Sequence, residues 1–141
     1  MREYPKWSEL PEIDLYLDQV LEYVNKLHSP VMLKNDKGLT SAMINNYVKN
    51  HYVGKPIKKK YSRRQLARLI VITYLKNVFS IQEISKTLTM LTKNDKSEIM
   101  YNNFVACMND EDTDEIPIVI KSACATVKLY EQTLELADEL K

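Results

Sequence analysis

Apolar and polar positions alternate along this chain in a way that predicts a series of amphipathic helices. From Pro11 to His28, Ile13, Leu17, Val20, Leu21, Val24 and Leu27 recur at helical spacing, with Asp14, Asp18 and Glu22 on another side. After "HSPVMLKNDKG" a short helix is expected from Leu39 or Thr40, capped by Thr40, with Ile44 and Tyr47 inward, ending near Asn50. Pro56 cannot sit inside a helix, so Val53 to Tyr61 reads as a loop or short ribbon. Ser62 with Gln65, and Ser80 with Glu83, stand in the spacing of capping boxes and open two further helices. The first of these carries Leu66, Leu69, Ile70, Ile72 and Leu75, a broad apolar surface that marks it as the central helix. The second carries Ile81, Ile84, Leu88 and Leu91. A short helix is expected from Asp95 and Glu98, then a solvated acidic loop, Asn109 to Glu115. A long final helix spans Val119 to Leu140 with a stripe of Val119, Ala123, Val127, Tyr130, Leu134 and Ala137.

Composition narrows the class. Only two glycines and five prolines punctuate 141 residues, which suits a mainly α fold in one domain, 1–141. The uncharged run Leu69 to Leu75 is far short of a membrane span, and the first ten residues lack the apolar region of a signal peptide. The expectation is a cytoplasmic protein. Cys107 and Cys124 have no CxxC spacing and read as small apolar residues. Asp110, Asp112 and Asp114 alternate like the start of an EF-hand loop, but Glu115 replaces the required glycine and Lys121 stands where the bidentate Glu belongs. His28 and His51 have no metal-ligand spacing. No P-loop, GxSxG or HExxH is present, so the chain reads as non-enzymatic and implies no cofactor.

Charge changes the picture more. The net charge is only +1, yet from Lys37 to Gln82 there is no Asp or Glu while ten Lys and Arg are present. Within "GKPIKKKYSRRQLARL" alone there are seven cations. Such segregation points to a surface that faces a polyanion, with nucleic acid the leading candidate. Positive charge at a helix N-terminus opposes the macrodipole, so Arg63 and Arg64 are hard to explain by stability alone.

The order helix, helix, basic ribbon, helix, helix is what a winged helix-turn-helix needs: one helix enters the major groove and the ribbon grips flanking phosphates. This places a helix-turn-helix core with a basic wing at 12–91 and a C-terminal helical extension at 92–141. Thr40, Ser41, Asn45, Asn46 and Lys49 are the candidate DNA contacts on the short helix, and Lys55, Lys58, Lys59, Lys60, Arg63 and Arg64 those on the ribbon and the helix start after it. Tyr61 reads as core, closing the ribbon where Ile57 also points inward.

Residues Leu39 to Ile84 resemble the DNA-binding module of MerR-type regulators. The resemblance runs through Ile44 and Tyr47 of the reading helix, the ribbon ending in Lys59 and Tyr61, and the helix starts "SRRQL" and "FSIQEI". More closely, "ELPEIDLYLDQV" followed by "MINNYVKN" and "KPIKKKYS" is similar to an uncharacterised bacterial family, domain of unknown function 1836, up to about Leu91. The chain has Asn45 and Asn46 where MerR-type proteins commonly have an arginine and a tyrosine, which removes a phosphate contact and adds two amides able to meet bases or phosphates. His51 stands where that pattern has glycine, so Asn50 or His51 must take the left-handed cap conformation, Asn more readily.

The function expected from these readings is that of a sequence-specific DNA-binding protein, a bacterial transcriptional regulator, dimeric through its first or final helix. The alternative is a protein-interaction module whose basic face binds an acidic partner.

Overall fold

The computed structural model of the chain describes residues 3–28, 36–111 and 113–141. Its elements run β1 (Leu15–Tyr16), α1 (Leu17–His28), α2 (Ser41–Lys49), β2 (Lys60–Tyr61), α3 (Arg63–Leu75), α4 (Ile81–Leu91), α5 (Ser97–Met108) and α6 (Ile118–Asp138), a mainly α architecture with a two-stranded antiparallel ribbon. No described helix is long and apolar enough to cross a membrane.

α3 is the centre. Leu66, Ala67 and every residue from Leu69 to Leu75 are buried, because α1, α4, α5 and α6 all pack around it. Both capping boxes form: Ser62 accepts from the Gln65 N–H while the Gln65 carboxamide accepts from the Ser62 N–H, and Ser80 and Glu83 do the same at α4. The expected short helix after Asp95 is the twelve-residue α5, and it belongs to the same core as the elements before it, with Tyr101 and Phe104 among the most deeply buried side chains. The N-terminal segment straps across α5. The Asn109 carboxamide exchanges two hydrogen bonds with the Tyr4 backbone, Asn102 accepts from the Trp7 N–H, and the Tyr101 hydroxyl donates to the Pro5 carbonyl.

Three expectations are corrected. Helix α1 starts at Leu17, not Pro11, because Leu15 and Tyr16 pair with Tyr61 and Lys60 as a strand, and Ile13 is exposed. The Gln19 side chain accepts from the Tyr16 N–H and caps the helix there. On α6, Ile120 and Cys124 are buried in place of the expected Val119 and Ala123, while Val127 of the expected stripe is buried; Val119, Tyr130 and Leu134 are exposed. Beyond Val127, α6 buries none of its residues. Ile57 points outward, 77% exposed, because it pairs with Lys60, and cross-strand partners share a face opposite that of Tyr61. The loop expected between the first two helices falls largely outside the described residues.

Cys107 and Cys124 are buried and not joined in a disulfide, and burial followed by the neighbouring Cys107 pushes Cys124 up to about 12. One buried carboxylate organises the end of α1 and the end of α3. Asp36 accepts from the Gly38 N–H and from Asn77, bonds His28 Nε2, and pairs with Lys76 at 3.2 Å. Burial alone raises its pKa, but the hydrogen bonds from Asn77, Gly38 and His28 and the Lys76 charge outweigh that and hold it well below the usual carboxylate range.

Candidate nucleic-acid interface

Helix α2 is entered through an amide clasp: Asn25 of α1 donates to the Leu39 carbonyl and accepts from the Leu39 N–H, both at 2.8 Å. Thr40 then caps the helix, accepting from the Met43 N–H. With Ile44 and Tyr47 buried, the spacing of the helix turns Ser41, Asn45, Asn46 and Lys49 to solvent together. Five polar candidates thus divide into one cap and four exposed positions on a single face.

The helix stops in a Schellman motif. The Tyr52 N–H bonds the Tyr47 carbonyl at 2.8 Å and the His51 N–H bonds the Val48 carbonyl at 3.1 Å. His51, with φ of 63°, takes the left-handed position rather than Asn50.

The chain then forms a tight hairpin. Ile57 and Lys60 exchange two backbone hydrogen bonds of 3.0 Å across a two-residue turn, and Lys58 and Lys59 both have positive φ, 51° and 67°. That is the arrangement of a type I′ turn, which Asn-Gly adopts easily and two lysines do not. The hairpin root is held from α3. The Gln65 carboxamide donates to the carbonyls of Gly54 and Lys55 at 2.8 and 2.7 Å, and Arg68 Nε donates to the Tyr52 carbonyl at 2.7 Å. A Cβ on Gly54 would lie 3.4 Å from the Gln65 amide nitrogen, a tight fit under the same clamp. On the other strand Tyr61 is buried, and Lys60 lies 5.1 Å above the ring of its cross-strand partner Tyr16.

The structure therefore sorts the cations. Lys49, Lys55, Lys58, Lys59 and Arg64 are exposed and Lys60 is half-buried. Arg64 is loosely paired with Asp95 at 3.5 Å, and two exposed partners of this kind interact weakly. Arg63 is drawn inward: Nε donates to the Pro11 carbonyl, Nη2 lies 4.0 Å from Glu12, and the guanidinium sits 5.9 Å from the Trp7 ring. Lys76 and Arg68, both counted in the basic segment, serve the interior. Residue type alone does not separate an anchoring Arg from a free one; Gln65 was visible as a cap, but its hold on the hairpin was not.

A mainly helical scaffold that presents one polar helix face and one strained basic hairpin defines the class. The family model "Domain of unknown function (DUF1836)" matches residues 5–104, and the chain belongs to that family. No curated protein and no solved structure matches it.

Proposed function

We propose that the chain is a sequence-specific DNA-binding protein of winged helix-turn-helix type, MerR-like, acting as a bacterial transcriptional regulator. In this reading α2 enters the major groove with Ser41, Asn45, Asn46 and Lys49, and the hairpin sets Lys55, Lys58, Lys59 and Lys60 on phosphates. The observation that carries it is the Lys58–Lys59 turn. Each left-handed non-glycine residue costs on the order of 1–2 kcal/mol, and a fold selected only for stability would place Asn or Gly there. Two adjacent lysines in that conformation, at the tip of a hairpin held firmly at its root, suit a phosphate clamp.

Dimerisation supports specificity, since a small module reads few base pairs. The exposed end of α6 is the surface assigned to it. Leu129, Tyr130, Leu134 and Leu136 are exposed there, where α6 runs on past its last buried residue, Val127.

The test is the salt dependence of duplex affinity. Log K falls with log salt by about 0.9 for each neutralised phosphate, so Lys58→Ala and Lys59→Ala are each expected to lower the slope by up to about one unit. Equal slopes in the wild type and both variants would remove the hairpin from the interface.

A further inference from the structure

A cleft of about 390 Å³ opens between the hairpin, the first turn of α3 and the α4–α5 turn. Lys60, Arg64 and Arg68 line it, against one exposed carboxylate, Asp14. Arg68 is the notable group. Its Nε and Nη2 donate only to neutral acceptors, the Tyr52 and Ser85 carbonyls and the hydroxyls of Ser85 and Thr89, at 2.7 to 3.2 Å. No described carboxylate lies within ion-pair distance of it, and its Nη1 makes no hydrogen bond among the described residues. A half-buried guanidinium whose hydrogen-bond acceptors are all neutral keeps its charge available to an anion. Burial accordingly lowers its pKa.

A second observation is independent of the first. Ser97 opens α5, lines the same cleft and is 8% exposed, yet its hydroxyl has no hydrogen-bond partner among the described residues. The residue before it, Lys96, provides no side-chain cap, so the free N–H groups of the first turn of α5 also lack a side-chain acceptor. Met100 and Ile57 supply an apolar wall, and the cleft has the size of a small-ligand pocket rather than of a lone ion.

We infer that this cleft binds a small phosphate monoester, its dianion seated between Arg68 and the start of α5 with the Ser97 hydroxyl donating to it, and its body against Met100 and Ile57. The inference uses none of the outer face of α2 and stands whether or not the chain binds a duplex.

The experiment is an amide NMR titration of the full chain with phenyl phosphate, alongside dimethyl phosphate, a diester like the nucleic-acid backbone. Phenyl phosphate is expected to shift the Ser97 and Glu98 amides and the Arg68 Nε–H saturably, with a dissociation constant of about a millimolar or tighter, and dimethyl phosphate to bind at least about tenfold more weakly. Ser97→Ala is expected to weaken phenyl phosphate about tenfold and Arg64→Ala several-fold, both in folded protein. Arg68→Lys tests the guanidinium itself, and the other two variants decide the matter if it does not fold. Absence of saturable shifts at these amides, or wild-type affinity in both Ser97→Ala and Arg64→Ala, would overturn the inference. Equal binding of dimethyl phosphate would overturn it too, making the cleft a site for backbone phosphodiester.

Discussion

Lys58 and Lys59 hold a conformation that lysine avoids, and this makes the hairpin tip the place where stability and binding are expected to trade against each other. Replacing the pair by Lys58→Asn and Lys59→Gly should raise stability by about 1–2 kcal/mol, since both new residues enter the left-handed region easily. The same double variant should bind duplex more weakly and with a shallower salt slope. Thermal unfolding and fluorescence anisotropy on the one protein check both halves. A stabilised variant with undiminished affinity would show that the strain serves something other than phosphate. His51 poses the same strain at the end of α2. Its need for a left-handed cap was visible in the sequence as a missing glycine, whereas the choice between Asn50 and His51 rested on where the last helical turn closes.

At the scale of elements, the hairpin is a device built by α3. Gln65 closes the capping box through its oxygen and holds Gly54 and Lys55 through its nitrogen. Gln65→Glu keeps the first role and removes the second, setting a carboxylate against two carbonyls. The expected result is a loss of about 1–3 kcal/mol in stability, together with faster hydrogen exchange at the hairpin amides of Ile57 and Lys60 while α3 remains protected. Exchange that rises equally through α3 would place the effect in the cap instead. The S-x-x-Q signature made half of this legible, because a capping box is local in sequence. The other half depends on the chain folding back ten residues and could not be read there. The same distinction explains α6, where apolar residues at helical period offer two overlapping stripes, and only the positions of α3 and α5 decide that Ile120, Cys124 and Val127 face the core. It explains the start of α1 as well, where Leu15 and Tyr16 pair with Tyr61 and Lys60 and end the helical spacing at Leu17.

For the whole molecule, the separation of charge along the chain has two meanings that the sequence merges. Part of the acid-free segment makes an exposed cationic surface, and part of it, Arg63, Arg68 and Lys76, ties the segment to the rest of the fold. The central role of α3 was legible because its apolar residues, Leu66, Leu69, Ile70, Ile72 and Leu75 among them, cover a broad surface, and the mainly α class because so few glycines and prolines interrupt the chain. In the sequence Arg68 is one of the seven clustered cations, and only its position in the fold separates it from the exposed ones. Asp36 is the counter-charge that lets Lys76 lie inside. Its depressed pKa means that its contribution to stability is fully present above the ordinary carboxylate range and is lost as the pH falls through the folded value. Asp36→Asn is expected to lower stability by about 3 kcal/mol at neutral pH, by stranding Lys76, and to flatten the acid limb below about pH 4. A variant with an unchanged acid limb in urea unfolding would assign that limb to other carboxylates.

The central claim, that α2 reads base sequence while the hairpin holds phosphates, is met most directly by selecting bound duplexes from a random library at about physiological salt, where non-specific binding is weak. Enrichment of a motif is expected, arranged as an inverted repeat with half-sites about one helical turn apart, with loss of that enrichment in Asn45→Ala with Asn46→Ala. Recovery of no motif by the folded protein would contradict it and favour an acidic protein surface as the partner of the basic hairpin.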